Sequence, residues 1–460
     1  MTVTAALALG LPVTLERYVG EFVGSGNGGA VLGMSRWAWK IEIFAAAAAC
    51  ALMTGAGMLG ANPRSAWVLA GLTAAASVMH AVPSAVLRGL QRWREVRIIG
   101  MVTADLALGI KIVALGLGGG IPALFAIDAA IVACNLIGTT MFARRAIDAL
   151  PSEDRKTGGF GGIVKFAAIA LIGTLISPVV YQRTEVFFPA RYSTDPEIAI
   201  YAIPFSIVSA LLLLPWAIAY ALAPAVATLW GAGEVNRIRS GFSRATRLIL
   251  LLTLVMTGLA VALLPAAIRL VHGSAFAGAG RVLVILVSRL PFVPLATLCS
   301  SFLLAIGRQW GLTIFGTVAA VLSIGLDLLL IPHFGAVGVA IANSVAQVAG
   351  SIPLIIYAIR VIGGVSLHVG ALLRATGMVL CAVLAAAFAI HVLPLTVGLV
   401  AGTILFAVTL AVVGAVVHPL TTDDGLWVEA IVGTRAHGII GATSRYASGR
   451  GPLAWGSARS

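Results

Sequence analysis

The segment LRGLQRWREVRIIGMV (Leu87–Val102) returns in the second half of the chain as LLAIGRQWGLTIFGTV (Leu303–Val318). The two share a leading Leu, Arg92 with Arg308, an Ile, Gly100 with Gly316, and a closing Val. Each is a short polar hinge flanked by long apolar runs. Duplicated bundles of membrane helices leave this kind of trace in a sequence.

The apolar runs continue outward from these hinges over nearly the whole chain. Of 460 residues, 60% are hydrophobic and only 10% are charged. A soluble globular chain carries about 25% charged residues. So little charge leaves lipid as the solvent for most of this surface. Runs of about 20 apolar residues are needed to cross the hydrocarbon layer. They fall near 3–19, 37–59, 66–86, 97–117, 121–143, 160–182, 197–226, 245–268, 281–305, 310–331, 335–359, 370–390 and 395–417. They do not alternate polar with apolar residues, so they are helices and not the strands of a barrel.

The net charge of +13 is distributed by topology. Of the 30 Lys and Arg, 22 lie in loops after odd-numbered spans, at the span ends that flank those loops, or in the tail, and five in or at the edges of loops after even-numbered spans; Lys111, Lys165 and Arg289 lie deeper inside spans. The positive-inside rule places the richer set, and the tail, in the cytoplasm. Trp37, Trp39, Trp93, Trp230 and Trp310 stand near the same ends, as an interfacial aromatic belt does. No basic and aromatic stripe marks a nucleic-acid groove. Cys50, Cys134, Cys299 and Cys381 are isolated in apolar runs and read as buried free thiols, without metal-ligand spacing. No cleavable signal peptide is evident.

The constant offset between the two hinges maps the third span onto the ninth. Six spans apart, the two run in the same direction, so the repeat is parallel. Spans one to five then map onto seven to eleven, and the sixth has no partner. Symmetry calls for one more helix ahead of residue 1. The expected fold is an all-α polytopic membrane protein of about 13 transmembrane helices, in two six-helix-type lobes related by a parallel repeat. An extra helix pair follows them, and the first helix is missing. The expected segments are an N-terminal lobe (1–143), a cytoplasmic linker (144–159), a C-terminal lobe (160–360), the extra pair (361–417) and a cytoplasmic tail (418–460).

An ionisable group at mid-bilayer costs about 2.5–3.5 kcal/mol on insertion scales, so each calls for a reason. The cations are Lys111, Lys165 and Arg289 within spans, Arg17 ending the first and Arg183 at the outer end of the sixth. They are candidates to line a cavity and hold an anionic head group, because Lys and Arg suit phosphate. Asp105, Asp128, Glu185 and Asp327 are candidates for Na+ or H+ coupling. Structural ion pairs or snorkelling ends are the other reading of the same residues. Pro83, Pro178, Pro204, Pro215, Pro224 and Pro291 permit kinks, and three of them make the seventh span the expected moving part.

Catalysis finds little support. The chain has no HExxH, GxSxG or Walker motif, and the glycine runs 24–29 and 116–120 lack the Lys-Ser/Thr of a phosphate loop. They read as turns. No metal site or resident cofactor is expected. A membrane glycosyltransferase or polymerase would want large outer loops with carboxylates, and the outer loops are short.

Five stretches carry a family resemblance: LPVTLERYVGEFVGSGN (Leu11–Asn27), AVLRGLQRWREVRIIG (Ala85–Gly100), QRTEVFFPARYSTDPEIAIYAIPFSI (Gln182–Ile207), LAPAVATLWGAGE (Leu222–Glu234) and LLAIGRQW (Leu303–Trp310). The chain resembles, over about residues 10–360, a polysaccharide flippase of the multidrug/oligosaccharidyl-lipid/polysaccharide exporter superfamily. The resemblance implies a two-lobed transporter of fourteen helices that flips undecaprenyl-pyrophosphate-linked oligosaccharide across the cytoplasmic (inner) membrane by alternating access, for cell-surface polysaccharide. It implies a cationic cavity, which Arg183 and Arg289 would fit. The implied partners are lipid-linked oligosaccharide, membrane lipid, and a polysaccharide polymerase and glycosyltransferases. A lipid II flippase and a cation-coupled drug exporter of the same fold are the alternatives, the latter leaning on Asp105 and Asp128.

The charge asymmetry makes a topological prediction. A green fluorescent protein fused after Val417 should fluoresce, and alkaline phosphatase fused there should be inactive. The opposite pattern would reverse every span.

Overall fold

The computed structural model describes residues 10–60, 63–151, 161–178, 195–364 and 369–419. These residues form thirteen α-helices and no strand. They are α1 (Leu11–Gly24), α2 (Gly28–Met58), α3 (Arg64–Gly89), α4 (Trp93–Gly116), α5 (Ile121–Asp148) and α6 (Gly161–Pro178). There follow α7 (Asp195–Gly231), α8 (Val235–His272), α9 (Ala277–Val287), α10 (Val293–Ala305), α11 (Trp310–Ile362), α12 (Val369–Val392) and α13 (Leu395–Val417). Among the described residues nine helices are long and apolar enough to cross a membrane. The chain is a multi-pass membrane protein.

Three expectations need correction. The ninth span, 281–305, is two helices, α9 and α10, separated by residues 288–292. Pro291 removes an N–H and disfavours helix at the residue before it. The prolines at 83, 204, 215 and 224 lie within continuous helix, whereas Pro291 sits in a break. The tenth and eleventh spans have no loop between them. They are the arms of α11, folded back at Gly335, whose φ of 51° and ψ of −131° suit glycine. The buried-thiol reading holds for Cys299, whereas Cys134 and Cys381 are exposed.

The first compact unit contains α1 to α6, the end of α7 from Ala221, the start of α8 to Ile238, and residues 300–317 around the second hinge. Its core packs Leu15 and Val19 of α1, Met34 and Ala38 of α2, Val82 and Val86 of α3, and Ala143 and Ala146 of α5. The second unit contains the rest of α7 and α8, α9, the start of α10, most of α11, and the α12–α13 pair. Val208 and Leu212 of α7, Leu283 and Leu286 of α9, and Val339 and Ala340 of α11 form its centre.

The two hinges share a backbone motif that also ends α4. Both hinges close their first helix with the same capping motif. Arg92 N–H donates to Leu87 O at 2.8 Å and Gln91 N–H to Arg88 O at 2.9 Å. The matching bonds of the second hinge run from Arg308 to Leu303 at 2.8 Å and from Gly307 to Leu304 at 3.1 Å. Gln91 and Gly307 occupy the left-handed position, with φ of 59° and 78°. A second matched pair ends α1 and α7. Asn27 N–H donates to Phe22 O and Glu234 N–H to Leu229 O, with Gly26 and Gly233 both at φ 74°. The offset in numbering is smaller here than at the hinges. The difference arises mostly in α8, which has 38 residues where α2 has 31.

The ends of α1 and α7 also pack as pseudo-equivalents. A Cβ on Gly24 would collide with Thr228 O, and one on Gly231 with Glu21 O. The offset that carries Gly24 onto Gly231 also carries Glu21 onto Thr228, so one contact generates the other, the signature of an isologous contact. Contacts elsewhere keep to one predicted side. Gln91 Nε2 donates to Thr228 Oγ1 at 3.1 Å, and Arg239 Nε to Ile362 O at 3.0 Å, joining segments all assigned to the charge-rich side. Glu197 approaches Gly335, both on the opposite side.

Gly24→Ala and Gly231→Ala should each destabilise the protein by about 1–3 kcal/mol through overpacking. Gly100→Ala, whose Cβ meets nothing within 4 Å, should be neutral or stabilising by up to about 1 kcal/mol. Thermal midpoints in detergent report the difference.

Candidate functional site

Among the described residues, buried polar groups gather in the second unit around the break between α9 and α10. Losing helix there frees backbone groups that hydrocarbon cannot satisfy. Serines meet part of the need. Ile285 O accepts Ser288 Oγ at 2.6 Å and Ser344 Oγ of α11 at 3.1 Å. Arg289 O accepts the N–H groups of Phe292 and Val293, both at 3.0 Å.

Arg289 stands within this break, only 2% exposed. Its Nη1 donates to Asn343 Oδ1 on the second arm of α11. That same oxygen accepts Gln347 Nε2 at 3.0 Å, one helical turn along. The guanidinium carbon lies 5.6 Å from the centroid of Phe205, which stacks on Tyr201. A cation is therefore held near the middle of a span by an amide and an aromatic face, contacts worth most where water is excluded.

Asp327 lies on the first arm of α11 and is 1% exposed. Neither carboxylate oxygen has a hydrogen-bond partner among the described residues. Asp327 and Asn343 stand eight residues either side of Gly335, about 12 Å from the turn along each arm. They are thus at the same depth. Ser323 and Ser351, also buried, extend the polar seam along the two arms.

The other candidates are dispersed. Lys111 of α4 pairs with Asp128 of α5 at 2.5 Å, so a candidate substrate cation and a candidate coupling carboxylate engage each other. Asp105 and Lys165 are exposed, on α4 and α6. Arg17 is largely buried in the first unit. It contacts Glu21 at 2.9 Å, donates to Ala305 O at 3.3 Å, and lies over the rings of Tyr18 and Phe166, its guanidinium carbon 4.1 and 4.9 Å from their centroids. Arg183 and Glu185 lie outside the described residues.

Sequence reading missed Glu42, Asn343 and Gln347. Glu42 sits at the midpoint of α2, is fully buried, and has no hydrogen-bond partner for either oxygen among the described residues. An acidic residue five positions into the 37–59 run carried the signal. Asn343 and Gln347 are uncharged, and only their burial sets them apart.

The fold finds its counterpart among solved structures. The MatE family model matches residues 170–329. A point mutant of a MATE protein superposes with a TM-score of 0.66 at 15% identity, covering 78% of this chain and 85% of its own. The outward-facing conformation of a multidrug resistance MATE family transporter of the MOP superfamily gives 0.64 at 16% identity, covering 78% and 85%. The MATE transporter VcmN of Vibrio cholerae, in its bent form, gives 0.60 at 17%, covering 78% and 86%. No curated protein matches the sequence. The chain has the MATE transporter fold, and the MatE match runs from α6 into α11.

Asn343→Leu should destabilise the protein by about 1.5–3 kcal/mol, because Arg289 loses a buried acceptor. Adding Arg289→Met should restore part of that loss, since the group that lost its acceptor is then gone. Equal losses that simply add would show the two residues to be uncoupled.

Proposed function

We propose that the protein is an alternating-access transporter that flips undecaprenyl-pyrophosphate-linked oligosaccharide across the cytoplasmic membrane for cell-surface polysaccharide biosynthesis. The observation that carries this reading is Arg289 at a broken span. Discontinuous membrane helices build transporter sites, because their ends present polar groups at mid-bilayer. A guanidinium there matches a pyrophosphate, which it can bind through two parallel hydrogen bonds. In the described conformation Asn343 Oδ1 occupies one guanidinium nitrogen. Substrate phosphate would take that place when the site opens.

Coupling is assigned to Asp327, whose buried carboxylate calls for a neutralising proton or cation. A cation-coupled drug exporter of the same fold is the second reading, and Asp327 is the observation that favours it. A lipid II flippase shares both features.

The test uses Arg289→Ala and Arg289→Lys in the natural host at matched membrane levels, with lipid-linked oligosaccharide in the outer leaflet as readout. Ala should reduce flipping at least tenfold, about 1.4 kcal/mol or more, and Lys should restore part of it. Normal flipping by the Ala variant would overturn the assignment. Unchanged flipping with lost drug efflux in Asp327→Asn would select the exporter.

A further inference from the structure

Three segments that the repeat assigns to the C-terminal lobe lie in the first compact unit together with α1. They are α6, residues 221–238 and residues 300–317. The contacts they make near the hinges follow the symmetry of the repeat. The offset that relates α1 to α7 carries Glu21 onto Thr228, and the offset between the hinges carries Gln91 onto Gly307. Gln91 of the first hinge reaches Thr228, its Nε2 donating to Oγ1 at 3.1 Å. Symmetry therefore calls for a contact between residue 307 and residue 21.

Gly307 has no side chain with which to make it. Arg17 fills the space instead, and a Cβ on Gly307 would stand 2.9 Å from Arg17 Nη2. The guanidinium pairs with Glu21, donates from Nε to Ala305 O and lies over the Phe166 ring. Gln309 Nε2 donates to Phe166 O at 3.0 Å, which ties the second hinge to α6. A charged side chain of α1 is thus received by a socket of C-terminal-lobe segments. The matching contact on the other side of the pseudo-symmetry is a neutral amide and hydroxyl.

The hold on Arg17 is incomplete. Its Nη1 is buried without a hydrogen-bond partner among the described residues. A guanidinium offers N–H donors in a planar fork, and a phosphate takes them as a pair of parallel, charge-assisted bonds. The Ala305 carbonyl supplies one neutral acceptor in their place.

We infer that Arg17 is the latch of a gate on the charge-rich, cytoplasmic side, and that a phosphate-bearing head group arriving there releases it. With Arg17 seated, α1 and α7 stay closed on each other at Gly24 and Gly231. A phosphate engages the guanidinium only in the unlatched state, so it shifts the population toward that state. Gly307 belongs to the latch, because a side chain there expels the guanidinium. The inference rests on the alternating-access reading but not on Arg289, since every contact it uses lies in the first unit.

The gate is read in a chain carrying Ala227→Cys. Ala227 is fully buried and faces Gly20 across the contact of α1 with α7. Cys50, Cys134 and Cys381 are changed to Ser, and the buried Cys299 is kept as a control for unfolding. A hydrophilic maleimide is added to inside-out vesicles, and labelling at each site is followed by peptide mass. Arg17→Ala should speed labelling at position 227 roughly tenfold, the scale of one charge-assisted hydrogen bond, with Cys299 unchanged. Gly307→Ala should act in the same direction. Gly26→Ala has the same left-handed backbone and meets nothing within 4 Å, so it should leave the rate unchanged. Inorganic pyrophosphate should speed labelling of the parent and have no effect on Arg17→Ala. Unchanged labelling in Arg17→Ala and Gly307→Ala would overturn the latch. Pyrophosphate that leaves the parent unaffected, or acts equally on Arg17→Ala, would overturn release by phosphate. Labelling needs no transport, so this pattern beside normal flipping in Arg289→Ala would leave the latch standing and remove the Arg289 site alone.

Discussion

Hydrocarbon offers no hydrogen bonds, so every polar atom that enters it must find its partner within the protein. Much of the described structure answers that demand. Thr14, Thr73, Ser77, Thr139 and Thr253 return their hydroxyls to the carbonyl one turn back. Where helix geometry fails, at residues 288–292, Ser288 and Ser344 cover Ile285 O. Lys111 is matched by Asp128, and Arg289 by Asn343. Against this background Asp327 and Glu42 stand out, because their carboxylates are buried without hydrogen-bond partners among the described residues. Departures from local satisfaction concentrate where function is expected.

Duplication explains why these departures are not symmetric. The hinges keep the same capping bonds and the same left-handed residue, although Gln91 stands in one copy and Gly307 in the other. The helices between hinges have diverged. α3 is continuous through Pro83, whereas its counterpart breaks at Pro291 and places a buried Arg beside the break. One copy keeps a plain span, and the other holds the polar seam of Arg289, Asn343 and Asp327.

The isologous contact between α1 and α7 shows how tightly the repeats are fitted where pseudo-equivalent helices meet. Gly24 and Gly231 bring each helix against a carbonyl of the other, leaving no room for a Cβ. Small residues that permit such close approach are a recurrent device of membrane helix packing.

Much of this was legible in the residues alone. Long apolar runs gave nearly all the helices, the Lys and Arg count gave a grouping of loops that the observed contacts respect, and the hinge repeat gave the parallel duplication. These are properties of neighbouring residues, so a window along the chain reads them. The candidate site was only partly legible. Arg289 and Asp327 announced themselves by their charge, but the break around Arg289 could be suspected only from Pro291, since prolines 83, 204, 215 and 224 leave their helices intact. That Asn343 would hold the guanidinium, that Lys111 would be taken by Asp128, and that Asp105 would face outward while Glu42 faced inward were decided by tertiary structure. The reason is physical: hydropathy fixes that a segment enters the membrane, whereas which of its faces is covered, and by which polar atom, depends on segments far away in the chain.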